Sequence, residues 1–111
     1  FGITVDARGR RWSAHAGGLR QVDAGGLQRV AVAGLPDGPI TAILSDGDRL
    51  IVGSARGVHV ADGAAEALVF RPLDPTLDKV SISRLLPDGH GGLWIGTLTD
   101  GSAMVLATVA L

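Results

Sequence analysis

The sequence predicts an all-β fold, and three observations carry that prediction. Short apolar runs of strand length recur along the chain, glycine-bearing turn pairs separate them, and one pattern returns three times at a nearly even spacing.

The runs come in order. Ile3-Thr4-Val5 is the first and Leu27 to Val32 the second. Ile40 to Leu44, Leu50-Ile51-Val52, Gly57 to Val60 and Leu93-Trp94-Ile95 follow. They are rich in β-branched residues and bounded by Asp-Gly, Gly-Gly or Pro-Asp, which is the signature of strands joined by tight turns. Ala103 to Leu111 is the most apolar stretch and is about one strand long. A helical alternative exists only at Gly63 to Leu68, a single alanine-rich turn too short to hold in water. It reads as a loop entering a strand over Ala67 to Arg71. Asp74 to Asp78 reads as a connection, with Pro72 and Pro75 expected to bar regular pairing on either side.

The repeat sets the architecture. Trp12, Ile51 and Trp94 align, as do Ala14, Gly53 and Gly96, and then His15, Ser54 and Thr97. An aspartate turn precedes each copy at Asp6, Asp46 and Asp88, and a glycine follows at Gly18, Gly57 and Gly101. The aligned Trp, Ile and Trp stand thirty-nine and forty-three positions apart. That is the period of β-propeller blades, each a four-stranded antiparallel sheet. The expectation is about three blades, with approximate repeats over 1–38, 39–79 and 80–111 and roughly eleven strands.

Physical roles follow from the residue types. Asp6 and Asp88 organise turns, and the glycines supply the positive φ that tight hairpins need. Trp12, Ile51 and Trp94 supply large apolar faces to fill the space between neighbouring sheets. Gly53 and Gly96 lie two places further along the same strand face and leave room for close backbone approach.

Composition bounds the function. With 46% hydrophobic and 19% charged residues the chain is globular in type, and a formal charge of −1 gives no general attraction to nucleic acid or to an acidic membrane. The charge is uneven, since residues 1–35 hold five arginines (Arg8, Arg10, Arg11, Arg20, Arg29) against Asp6 and Asp23. Absence of cysteine excludes disulfides, thiolate metal sites and cysteine nucleophiles. No apolar run is long enough for a membrane-spanning helix. Beginning at Phe1, directly in strand-like sequence, the chain reads as a processed product or a piece of something longer.

Three blades pose a closure problem, because a propeller ring needs about four to eight. An open wedge exposes sheet faces and edges at both ends. Two remedies are open: further blades from the same chain, or a homo-oligomer in which two copies make a six-bladed ring.

Asp88-Gly-His-Gly-Gly-Leu-Trp-Ile-Gly-Thr97 resembles the core of the two-component regulator propeller repeat, roughly D-x-x-G-x-L-W-[IV]-G-T. Leu50 to Val58 resembles a second copy, with Ile51 for tryptophan and Ser54 for threonine. Asp6 to Trp12 resembles a third, in which Ser13-Ala14-His15 replaces the I-G-T. The resemblance touches nearly the whole chain. It implies part of an extracytoplasmic, periplasmic or extracellular sensor region of a membrane-bound signalling protein, one that binds a small molecule or carbohydrate and performs no catalysis. Two alternatives stay open: a segment of a propeller lyase, or a small lectin-like oligomer.

Candidate site residues are few. His15, Arg56, Thr97 and Asp100 follow the motif near strand ends, where loops meet ligands, and are the binding candidates. His15, His59 and His90 lie in different repeats and form no close zinc-type pair. Asp46-Gly47-Asp48 starts like a calcium loop, but position 50 is Leu and the closing glutamate is missing. Gly53 to Gly57 lacks the lysine and spacing of a phosphate loop. Ser13 and Ser54 lack a nucleophile-elbow context. Arg8, Arg10 and Arg11 flank a hairpin turn and read as a solvated loop. No metal, cofactor or catalytic residue is expected.

Overall fold

The computed structural model describes residues 2–22, 32–73, 81–87, 89, 92–99 and 102–110, with residues 98, 99 and 102–110 described through the backbone alone. The fold is all-β, with no helix among the described residues. The strands are β1 (Ile3–Val5), β2 (Arg11–His15), β3 (Gly18–Val22), β4 (Val32–Ala33), β5 (Ile40–Asp46), β6 (Arg49–Ser54), β7 (Gly57–Asp62), β8 (Leu68–Val69), β9 (Arg71–Pro72), β10 (Ile82–Pro87), β11 (Gly92–Thr99) and β12 (Ser102–Ala110). The run expected over Leu27 to Val32 falls outside the described residues except for Val32. The connection over Asp74 to Asp78, and Asp88, His90, Asp100 and Gly101, also lie outside them.

Three antiparallel sheets form in chain order: β1-β2-β3, β5-β6-β7-β9 and β10-β11-β12. Tight turns make this order local, as at Gly9, Gly47 and Gly57, whose φ values of 80°, 59° and 89° suit hairpin corners. Four strands are present only in the second sheet. The first and third show three each among the described residues, and the sheets close no ring.

Alternation along the central strand β6 explains the packing. Ile51 and Gly53 face one way, while Leu50 and Val52 face the other. Ile51 joins Ala42, Val58 and Val60 in a core with Ile82, Leu85, Leu93 and Ile95 of the third sheet. Leu50 and Val52 join Ile40, Ala61, Leu68 and Phe70 in a core with Trp12 and Ala14 of the first sheet. The second sheet is therefore sandwiched between the other two. Fully burying side chains such as Leu50, Ile51 and Ile82 contributes about 1.5–3 kcal/mol each.

The registers of the second and third sheets repeat residue for residue. Ile40, Ala42, Ile43 and Leu44 of β5 face Ser54, Gly53, Val52 and Ile51 of β6. Ile82, Arg84, Leu85 and Leu86 of β10 face Thr97, Gly96, Ile95 and Trp94 of β11. Each pairing breaks register at the same place, between Ile40 and Ala42 and between Ile82 and Arg84. In the first sheet Thr4 faces Trp12 and Ile3 faces Ser13, which matches the same frame without a described bulge.

Two expectations need correction. Pro72 does not bar pairing: it sits in β9 opposite His59, and an edge strand tolerates the missing N–H because that side needs no donor. The strand expected over Ala67 to Arg71 is split at Phe70. Before the split, β8 pairs in parallel with β4, and the Phe70 N–H donates to the Ala33 carbonyl at 2.8 Å. After it, β9 returns to β7. Gly34 makes the crossover possible. Its φ is +86°, and a Cβ there would stand 2.1 Å from the Phe70 carbonyl oxygen.

Candidate functional site

Each sheet has a turn end, carrying the β1–β2 and β5–β6 hairpins, and an opposite end, carrying the β2–β3 and β6–β7 hairpins. The turn end is built around Asp6. Its Oδ1 accepts the Arg8 and Arg10 backbone N–H groups at 2.9 and 3.0 Å, which is the aspartate-organised turn the sequence implies. Its Oδ2 accepts Trp12 Nε1–H at 2.8 Å and Arg10 Nε–H at 2.6 Å. Burial pushes the Asp6 carboxyl up. The hydrogen bonds from Trp12, the Arg10 and Arg8 backbone and the Arg10 guanidinium outweigh that and hold it below its ordinary value.

Arg10 is the residue that sequence reasoning missed. Expected in a solvated loop, it is half-buried and reaches across to the loop that follows β7. Its guanidinium donates to the carbonyls of Gly63, Ala65 and Glu66 at 3.0, 2.7 and 3.0 Å. The signal in the sequence was Asp6 four residues before Arg10 across a glycine turn, a spacing that closes an ion pair over a hairpin. The arrangement is a latch: both Asp6 oxygens each accept two hydrogen bonds and Arg10 donates four through its guanidinium, so its chemistry is structural.

Between the turn ends of the second and third sheets lies an open basin of about 410 Å³ lined by Asp46, Gly47, Asp48, Arg49, Pro87 and Gly89. Its two carboxylates are the ones that resemble the start of a calcium loop. No group of three or more His, Cys, Asp or Glu residues able to hold a metal is found among the described residues.

The aligned positions His15, Ser54 and Thr97 lie in β2, β6 and β11. His15 closes β2, is exposed, and lies 2.6 Å through Nε2 from Ser13 Oγ. Ser54 is buried, and its Oγ accepts the Arg56 backbone N–H at 3.0 Å, which fixes the β6–β7 turn and leaves the Arg56 side chain exposed. Thr97 is buried in β11. Asp100, the fourth binding candidate, lies outside the described residues.

A cleft of about 340 Å³ opens at the opposite end between the first two sheets, next to His15. Its walls are the Gly17-Gly18-Leu19 turn, β4 and the Gly34 to Gly38 segment, with Ile40 below. Leu19, Leu35 and Ile40 give it an apolar floor. Main-chain groups of Gly17, Gly18, Gly34 and Gly38 form the rim, and among the described residues Asp37 is the only ionisable side chain in the lining. Gly18 and Gly38 hold φ values of 116° and 108°, so the rim depends on residues without a Cβ. One apolar surface, backbone donors and acceptors and one carboxylate suit a small neutral polyol or sugar ring better than an anion.

The aligned positions Trp12, Ile51 and Trp94 differ in surroundings. Trp12 is buried between the first and second sheets, and Ile51 between the second and third. Trp94 points away from the stack and is 43% exposed. No protein-family model and no curated protein matches the chain. No helix of the described residues is long and apolar enough to cross a membrane.

Proposed function

We propose that the three sheets are successive blades of a β-propeller, and that the chain is part of an extracytoplasmic ligand-sensing or protein-interaction module of a signal-transduction protein. It acts by binding, without turnover. One observation carries the reading: β5–β6 and β10–β11 share register, bulge position and the placement of Ile51 and Trp94. Two sheets that repeat so closely, stacked face to face, are what a repeat of blade length produces. The likeness of Asp88 to Thr97 to the two-component regulator propeller repeat supports the extracytoplasmic sensor role.

The binding site in this reading is the cleft of Gly17 to Leu19 and Val32 to Gly38, and its ligand is a small neutral carbohydrate. The Asp37 carboxylate accepts hydroxyl protons, the glycine main chain completes the polar contacts, and the leucine and isoleucine floor takes the apolar face of the ring. Titration of the labelled chain with neutral mono- and disaccharides, followed by amide shifts, tests it. Shifts centred on Gly17, Gly18, Gly34 and Gly38, weakened by Asp37→Ala, are expected. Spectra unmoved by every sugar, or shifts confined to the Asp46 to Arg49 basin, would reject the assignment.

A further inference from the structure

Among the described residues, large apolar side chains are exposed on both outward faces of the stack, and the two faces complement one another. On the third sheet Trp94 and its cross-strand neighbour Leu86 are 43% and 53% exposed. On the first sheet Ile3 and Val5 are 65% and 50% exposed, and Arg11 lies in register between Val5 and Val22.

Inside the stack the same kind of face is already occupied, which shows what it accepts. The second sheet presents Ile51, Gly53 and the Thr41 hydroxyl to the third. Ile51 shares its core with Leu85 and Leu93, the Thr41 hydroxyl donates to the Ile82 carbonyl, and the Ile82 side chain fills the space over Gly53. Trp94, Gly96 and Ser83 hold those registers on the third sheet. The three heavy atoms nearest to a Cβ built on Gly96, among the described residues, belong to Arg84 and Ser83 of its own sheet. In the first sheet the registers of Leu85 and Leu93 are held by Ile3 and Arg11.

We propose that a second copy of this chain covers the Trp94 face with the Ile3 face of its first sheet, head to tail, and that two copies close a ring of six sheets. This rests on the blade reading above. Trp94 then lies over Ile3 and Arg11 of the other copy, which combines apolar burial with a guanidinium on an indole face. The occupant is a copy because one chain carries both halves of the contact. A head-to-tail contact closes a ring only when its rotation fits, and six sheets fall within the four to eight that close. Arg11 and Ser13 stand where the other sheets carry Leu50 or Leu93 and Val52 or Ile95. The face is therefore more polar than the intrachain contacts, as suits a surface that meets water before assembly.

Sedimentation or light scattering of the 111-residue chain tests the proposal. The expected mass is twice 11.3 kDa. Trp94→Glu and Ile3→Glu should each give monomers with unchanged far-ultraviolet circular dichroism. Mixing the two variants should restore a dimer held at one junction, where the Trp94 face of one variant meets the Ile3 face of the other, while the second junction, with two glutamates, stays open. A monomeric parent chain, an open-ended series of larger species, or an Ile3→Glu variant that still dimerises would each overturn it. Failure of the stack itself reads differently. If acrylamide quenches Trp12 freely in the monomeric Trp94→Glu variant, the sheets are not stacked. A shielded Trp12 in a monomeric parent chain overturns the assembly alone.

Discussion

Ile82 fills the place of the side chain that Gly53 lacks: a Cβ on Gly53 would stand 2.5 Å from Ile82 Cγ2 and 2.8 Å from Ile82 Cβ. The second and third sheets meet closely here, and the contact ties the small residue two places after Ile51 to the first residue of the next sheet. Gly53→Ala should destabilise the chain by roughly 1–3 kcal/mol through overpacking. Gly96→Ala, whose nearest contacts are at 3.1 and 3.3 Å within its own sheet, should cost less. Urea denaturation of both variants checks the contrast, and equal losses would contradict it.

Thr41 reinforces the same junction. Its hydroxyl donates to the Ile82 carbonyl and lies 3.1 Å from the Gly53 carbonyl. Thr41→Val keeps the shape and removes the donor, so a loss of about 1 kcal/mol is expected. Hydrogen exchange should show the loosening first at the β5–β10 contact, with the β1–β2 hairpin unaffected.

Asp6 makes stability acid-sensitive. Its carboxyl is held below its unfolded value near 3.8, so its contribution is complete above that pH and is lost as pH falls through the lower folded value. Asp6→Asn keeps the shape but, with Oδ1 still serving the turn, sets an NH2 donor where Oδ2 accepts from Arg10 and Trp12. The parent chain should lose stability relative to the variant only below about pH 4. At neutral pH the variant should be weaker by about 3 kcal/mol, since the Arg10 charge is left without its partner. Thermal melts across pH 2–7, a range spanning the ordinary carboxylate pKa, measure both effects. A stability difference independent of pH would remove the ionised Asp6 from the account.

Gly34 combines two constraints. A side chain there meets both a positive φ and the Phe70 carbonyl at 2.1 Å. Gly34→Ala should break the parallel β4–β8 pair and cost more than Gly53→Ala, because backbone yields less readily than a side-chain tip. Loss of amide protection at Phe70 is the local readout. A protected Phe70 amide in that variant would contradict the crossover.

How far the sequence could be read follows from these residues. The all-β class and most strands were legible because β-branched runs and glycine turns are local signals. The equivalence of Ile51 and Trp94 was legible because turn, large residue and glycine keep their spacing. The parallel β4–β8 pair was not, since the partners lie thirty-six positions apart and only two residues of each strand take part. Nor was the placement of Pro72, because an edge position is a property of the sheet and not of the proline. Of the binding candidates, His15 and Thr97 hold aligned places in β2 and β11, and Arg56 lies in the β6–β7 turn. The neighbouring cleft, however, is lined mainly by glycine main chain, which leaves no side-chain motif to recognise.

The central claim is that successive sheets repeat one packing frame, and the contact of Ile82 with Gly53 is its most direct expression. Nuclear Overhauser spectroscopy on a methyl-labelled chain measures it without mutation. A strong cross-peak between the Ile82 γ2 methyl and the Gly53 α-protons is the predicted result. Its absence, with the Ile82 methyl instead near protons of the first sheet or near solvent alone, would contradict the account.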